Sequence, residues 1–231
     1  VPDSKIIFRT AGQADVSYAT TIINEMEHSA QVRGTGIAKR SPDYIAQKML
    51  EGKSVIALTT TGIWVGFCYI ETWSHGAFVA NSGLIVNPDF RGHGVAKEIK
   101  KQIFNLSKTL YPQAKIFGLT TGLAVMKINS DLGYEPVTYS ELTQEEHFWS
   151  GCKSCVNYEI LMMKERKNCL CTAMMYDPED HYTASETKQF FKEKNKVLAR
   201  LLRLKRNNML GKLLKARALK KEERKSKKEI S

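Results

Sequence analysis

The sequence predicts an α+β fold, a twisted mixed β-sheet flanked by helices, with a basic helical extension at its C-terminal end. Two observations predict the body. β-branched apolar runs of strand length alternate with segments of helical periodicity, and Gly, Pro and Asn punctuate the joins. A third predicts the extension: from Ser185 on, leucines recur at roughly helical spacing among Lys and Arg. The 231 residues suit one moderate domain plus an extension. The expected division is a body over 1–165, a cysteine-containing connector over 166–184 and a basic tail over 185–231.

Residues 5–9 read as a first strand, and Asp15 as the N-cap of a helix running to about His28. Residues 31–40, with Gly34 and Gly36, read as a loop. Ser41-Pro42 then opens a second helix, Ser at the cap and Pro at the first helical position, with Ile45, Met49 and Leu50 inward and Gly52 at its end. Residues 54–59 and 64–72 form a hairpin across Thr61-Gly62. A strand over 80–86 stops at Asn87-Pro88-Asp89. Residues 95–108 carry Ile99, Ile103 and Leu106 on one helical face. A strand over 116–121, a short helix over 122–130, a turn at Leu132-Gly133-Tyr134 and a helical turn over 143–149 follow. Residues 156–164 read as the last strand. The tail reads as one or two amphipathic helices, broken near Asn207-Asn208 and Gly211.

The net charge of +11 is unevenly spread. Residues 185–231 hold 17 basic and 5 acidic residues, leaving 18 basic and 19 acidic in the rest. The body is therefore near neutral, and a nucleic-acid or acidic-surface role rests on the tail alone. No aromatic residue follows Phe191, so base stacking has no support there. The tail has three readings: its Leu face docks on the body or on a second subunit as a homodimer, it contacts nucleic-acid phosphates, or it lies on an anionic membrane. No apolar run reaches about eighteen residues, so no membrane span is expected. No signal-peptide pattern opens the chain, and the expected location is the cytoplasm.

The chemistry-bearing segment is Leu84-Ile85-Val86-Asn87-Pro88-Asp89-Phe90-Arg91-Gly92-His93-Gly94-Val95-Ala96. A strand enters a Gly-rich turn, and the turn opens a helix. Backbone N–H groups and the positive helix end then point at one spot, which suits pyrophosphate. Gly92 and Gly94 admit close approach of an anion, and Arg91 supplies a fixed charge. A dinucleotide site is disfavoured, because no second G-x-x-G spacing or acidic ribose partner follows a matching strand.

Arg91-x-x-Gly94-x-Ala96 resembles the acyl-CoA-binding motif of the GNAT superfamily of N-acyltransferases, and the element order resembles that fold. The resemblance implies that Leu84, Ile85 and Val86 pair with the pantetheine arm of acetyl-CoA or succinyl-CoA. It implies that the backbone of Arg91, Gly92, His93, Gly94, Val95 and Ala96 holds the pyrophosphate. The thioester then lies between the strands near residues 84 and 116–121, where a primary amine attacks it. Such a site needs a neutral amine, donors for the oxyanion and a proton for the leaving thiolate.

Three stretches resemble the acyltransferase domain of N-acetylglutamate synthases: Ile37-Ala38-Lys39-Arg40-Ser41, Phe117-Gly118-Leu119-Thr120-Thr121 and Glu135-Pro136-Val137. They imply a glutamate acceptor, with Arg40 on a carboxylate and Thr121 at the substrate. The sequence departs from that family at Glu71, where a lysine is expected. Glu71 suits the amine of the acceptor. Many GNAT enzymes carry a Tyr four residues before the Gly of a Gly-aromatic pair; here Asn129 holds that position ahead of Gly133-Tyr134. Glu71 and His75 are the base candidates by location, and Asn129 is a hydrogen-bond donor.

Cys152, Cys155, Cys169 and Cys171 form C-x-x-C and C-x-C pairs flanking the expected last strand. Such pairs can chelate one tetrahedral Zn²⁺; buried thiols and a redox pair are the alternatives. The expected activity is N-acylation of an amino acid, glutamate foremost. The rivals are a GNAT acting on a protein N-terminus, a lysine or a polyamine, and a non-enzymatic module that uses the tail.

Overall fold

The computed structural model describes residues 5–34 and 38–182. The tail and the membrane-span question beyond 182 therefore lie outside the described residues; within them, no helix is long and apolar enough to cross a membrane. The chain divides into units 1–178 and 179–231, and the first contains the whole sheet.

In chain order the elements are β1 (Ile6–Thr10), α1 (Ala19–Arg33), α2 (Pro42–Leu50), β2 (Ser54–Thr59), β3 (Trp64–Trp73), β4 (Phe78–Val86), α3 (Val95–Leu110), β5 (Lys115–Thr120), α4 (Leu123–Asp131), β6 (Glu135–Pro136), α5 (Glu146–Ser150), α6 (Tyr158–Met163) and β7 (Thr172–Tyr176). The strands form one sheet in the order β1-β2-β3-β4-β5-β7-β6. All neighbours are antiparallel except β4 and β5, which run parallel and need the α3 crossover between them.

Strand alternation puts Cys68, Ile70 and Val79 against Ile99, Ile103 and Phe104 of α3 on one face. The other face carries two apolar clusters. One joins Phe67 and Tyr69 to Ile22, Met26, Ile45 and Met49 of α1 and α2. The other joins Trp73 and Phe117 to Trp149, Leu161 and Ala173. Glu71 lies on β3 between Tyr69 and Trp73, in the interval between these clusters.

Local signals fixed several ends as expected. Ser41 accepts from the Tyr44 N–H at 3.2 Å with Pro42 at the first position of α2. Gly52 follows the helix with φ +65, the left-handed turn that lets a chain leave a helix.

Three expectations are corrected. Asp15 does not cap α1. It is buried in a 3-10 turn, accepts from the Gly12 N–H at 2.9 Å and forks onto Arg9 at 2.7 Å twice. α1 starts at Ala19 and runs to Arg33, so the following loop is shorter than its polar composition suggested. Residues 156–164 are not the last strand. Their core is helix α6, with Leu161 buried and Met163 exposed. The last strand is β7, inside the sheet between β5 and β6, so the sheet extends beyond the expected boundary at residue 165 into the expected connector.

Asp15 makes stability pH-dependent. Burial pushes its carboxyl pKa up, but the Arg9 bonds and the Gly12 N–H outweigh burial and leave it below the ordinary range. A depressed folded-state pKa stabilises above the unfolded value, about 3.9, and that stabilisation is lost as pH falls through the folded value. Asp15→Ala is expected to cost about 1–2 kcal/mol at pH 7, through loss of the bond from the Gly12 N–H and of the Arg9 fork. Urea midpoints should show the difference between variant and parent shrinking at pH 3; a difference independent of pH would remove this role.

Candidate active site

β4 and β5 pair only through Phe78↔Lys115, Val79↔Ile116 and Ala80↔Phe117. Beyond those residues they part. β4 continues to Val86 along β3, and Gly118, Leu119 and Thr120 continue along β7. Their facing edges therefore enclose a V-shaped opening with main-chain donors and acceptors along both sides.

The parting has local causes. Cys68 of β3 faces two residues of β4, because Phe67 pairs with Ile85 and Tyr69 with Ser82. This bulge contains Gly83 at φ +64, where an added Cβ would meet the Tyr69 ring at 2.3 Å. Asn81, the first β4 residue past the paired stretch, donates to Ser107 Oγ at 2.7 Å and accepts from the Tyr134 hydroxyl at 2.9 Å. Its side chain thus ties β4 to α3 and to the segment after α4.

At the wide end of the opening the chain passes through the Gly-rich turn into α3. Gly92 and Gly94 have φ +81 and +78, and no atom lies within 4 Å of a Cβ built at either. Glycine is needed there for backbone conformation, and the space above the turn is open. Gly94 is the α3 N-cap and offers no side-chain cap; the first helical bond runs from the Glu98 N–H to the Gly94 carbonyl. The N–H groups of Val95, Ala96 and Lys97 thus point out of the helix start, where the helix dipole favours an anion. His93 is exposed, with its Nδ1 2.8 Å from the Arg91 carbonyl. Leu84 is half-buried, while the Ile85 and Val86 side chains sit in the core.

Arg91 is placed differently from the sequence expectation. Its guanidinium donates to the Val86 carbonyl at 3.0 Å, to Glu25 at 2.8 Å and to Ser29 Oγ at 2.8 Å. It fastens the turn to β4 and α1 instead of presenting a free charge to a phosphate.

Asn129 of α4 lies behind β5, its side-chain nitrogen 3.8 Å from a Cβ built on Gly118. It is 1% exposed, and its Oδ1 has no hydrogen-bond partner. An orphaned buried acceptor beside the opening is a place for a ligand N–H.

On the opposite face of the sheet, Arg40 Nη2 donates to Glu71 Oε1 at 2.9 Å, and the Tyr44 hydroxyl donates to the same oxygen at 2.7 Å. Arg40 Nε is buried without a partner. The Tyr69 ring stands edge-on to Tyr44, and the Lys48 ammonium lies 5.1 Å from the Tyr44 ring centre, with the Arg40 guanidinium at 5.3 Å. Two cations thus flank one ring beside one carboxylate. Burial disfavours the Arg40 cation, but Tyr69 and Glu71 outweigh it and hold its pKa above the usual range. Burial, reinforced by Glu71, raises both tyrosines. Burial lowers Lys48. Glu71 pairs with Ala80 and Tyr69 with Ser82, so this cluster sits at the level where β4 leaves β5.

His75 is not part of this arrangement. It is an exposed residue with φ +55 in the β3–β4 turn, next to the end where β4 and β5 are still paired. Three residues of β4, Phe78, Val79 and Ala80, lie between its turn and the start of the opening, so His75 does not line the opening. Thr121 is exposed just past β5 at the rim. Tyr44, Lys48 and Tyr69 were not singled out in the sequence. Their signal was spacing: Arg40, Tyr44 and Lys48 recur every fourth residue, and Tyr69 and Glu71 share a strand face.

The four late cysteines border one small cavity beside Leu119 and Tyr139. As they stand, no three His, Cys, Asp or Glu side chains among the described residues are grouped tightly enough to hold a metal ion. Burial, and then the neighbouring thiols, push Cys152 up to about 11 and Cys171 up to about 12.

No family model and no curated protein sequence matches the chain. Solved structures do match it. N-acetylglutamate synthase from Neisseria gonorrhoeae, complexed with coenzyme A and N-acetyl-glutamate, aligns with TM-score 0.52 at 14% identity over 77% of this chain and 36% of that one. The chain thus spans about a third of that synthase. A Mycobacterium tuberculosis protein in complex with CoA aligns with TM-score 0.53 at 16% identity, over 74% of this chain and 98% of that one. A mosquito arylalkylamine N-acetyltransferase-like protein aligns with TM-score 0.50 at 14% identity, over 75% and 100%. The chain has the GNAT acyltransferase fold, with its mixed sheet, parted central strands and Gly-rich turn.

Arg91→Ala combined with Gly94→Glu unfastens the turn, strains it at positive φ and places a carboxylate at the helix start. Acetyl-CoA affinity, measured by calorimetry, is expected to fall on the order of a hundredfold or more. Unchanged affinity in a variant with parental circular dichroism would move the cofactor elsewhere.

Proposed function

We propose that the protein is an acyl-CoA-dependent N-acyltransferase whose acceptor is an acidic α-amino acid, glutamate foremost. The parting of β4 from β5 above a Gly-rich helix start carries the cofactor half of this reading. The pantetheine arm of acetyl-CoA or succinyl-CoA fits the unpaired edges of β4 and β5, and Asn129 Oδ1 is an acceptor for one of its amide N–H groups. The pyrophosphate belongs at the N–H groups of Val95, Ala96 and Lys97.

The acceptor half rests on charge. A purely cationic amine meets Arg40 and Lys48, and a purely anionic compound meets Glu71. An α-amino acid offers both signs. Its ammonium replaces Arg40 as a partner of Glu71, and its carboxylate takes the freed guanidinium, including the orphaned Nε. With two cations to one carboxylate, the cluster retains a second positive group, Lys48, for a second carboxylate. This favours glutamate or aspartate over neutral amino acids.

In the reaction the neutral amine attacks the thioester carbonyl. The C–N bond forms, the C–S bond breaks, and the amine's second proton leaves while the CoA thiolate gains one. Glu71 orients the amine; water reaching the open face is the simplest proton carrier. Asn129, with no ionisable proton, serves by hydrogen bonding alone.

Thiol release from acetyl-CoA and succinyl-CoA, measured across amino acids and polyamines, tests the acceptor. Turnover with glutamate or aspartate is expected. Turnover only with polyamines or arylalkylamines would overturn the acceptor reading while keeping the fold. Arg40→Ala is expected to raise the acceptor KM on the order of tenfold or more and leave acetyl-CoA affinity unchanged. An unchanged KM would take Arg40 out of the site.

A further inference from the structure

We infer that Cys152, Cys155, Cys169 and Cys171 form a structural zinc site. All four are free thiols, and all four line the same cavity of about 30 Å³, together with Leu119, Tyr139, Asn157, Tyr158 and Leu161. They come from two separate segments. Cys152 and Cys155 lie on the turn after α5, where the Cys155 N–H donates to the Cys152 carbonyl at 2.9 Å. Cys169 and Cys171 lead into β7, and the Tyr139 hydroxyl fixes the Cys171 carbonyl at 2.8 Å.

Asn157 joins the two pairs. Its N–H donates to Cys155 Sγ at 3.4 Å, and its carbonyl accepts from Cys169 Sγ at 3.8 Å. One residue thus spans the gap between the C-x-x-C and C-x-C segments.

The chain between α5 and β7 also needs a fastening. α5 and α6 have five and six residues, and between 151 and 171 only Leu161 is a fully buried apolar side chain. So short a pair of helices gains little from its own packing. A zinc ion joins the turn at 152–155 to the start of β7. Binding is balanced: four thiols release four protons to solvent, and four sulfurs each take one bond to Zn²⁺. The cysteine side chains turn into the cavity they already border to reach it. Two disulfides are the competing outcome, but every pairing of these free thiols needs a two-electron oxidant for each bond, whereas zinc binding needs none.

The site has a consequence for the acceptor pocket, which rests on the function proposed above. Ser154 Oγ accepts from the Lys39 N–H at 3.1 Å, and a Cβ built on Gly151 would lie 3.7 Å from Arg40 Nη2. The cysteine turn is thus part of the wall behind Arg40.

Elemental analysis of the full chain, purified without a metal-affinity step, is expected to give about one zinc per chain. Native mass spectrometry should place that zinc on the monomer mass, and cobalt exchange should give an intense thiolate-to-cobalt absorption. C169S/C171S should lose the metal. If that variant fails to fold, the parent protein still decides. Zinc-free parent chain with five reactive thiols, or with a mass lowered by two or four protons through disulfides, would overturn the site. Both readouts are independent of activity, so zinc bound to a chain without glutamate turnover supports the metal site and counts only against the acceptor.

Discussion

The molecule is organised around a shortage of main-chain partners. After Ala80 and Phe117 two parallel neighbours stop pairing, although each keeps its other neighbour. Buried peptide groups without partners are costly, so an opening of this kind persists only where its surroundings enforce it and a ligand can use it. Three features enforce it: the Gly83 bulge, the Asn81 side chain held between Ser107 and Tyr134, and the crossover helix α3. The same crossover delivers the Gly92–Gly94 turn to the wide end. One constraint therefore sets both the opening and the Gly-rich helix start at its mouth, where the extended arm and the pyrophosphate are proposed to bind.

Charge organises the other half. The body is close to neutral, yet Arg40, Lys48 and Glu71 are gathered around Tyr44 at the level where the strands part. In the proposed function the Arg40–Glu71 pair opens to an amino-acid zwitterion, whose ammonium and carboxylate take the place of the two partners. Arg91 illustrates the opposite use of charge. Its three bonds to Val86, Glu25 and Ser29 turn a cation into a fastening for the turn.

What was legible in the sequence was local. Ser41-Pro42 announced a helix start, Gly52 its end, and Arg91 through Ala96 the turn into α3, because each depends on backbone conformation within a few residues. What was not legible depended on distant partners. Asp15 has the composition of a cap but is claimed by Arg9 across the turn. β7, Thr-Ala-Met-Met-Tyr, has little β-branching and is a strand because β5 and β6 flank it; residues 156–164 look more strand-like and fold as α6 around Leu161. His75 is four residues from Glu71 in sequence, yet it lies exposed in the β3–β4 turn, on the side away from the opening. The cysteines were visible as two pairs, but only the structure puts them around one cavity.

The opening between β4 and β5 and the turn above it are the proposed acyl-CoA site. Hydrogen–deuterium exchange with and without acetyl-CoA tests it most directly, since bound ligand would occupy backbone N–H groups that now lack partners. Protection is expected to concentrate in residues 82–86, 92–97 and 118–121, with little change in β1 and β2. Binding that protects other segments and leaves these unchanged would contradict this placement.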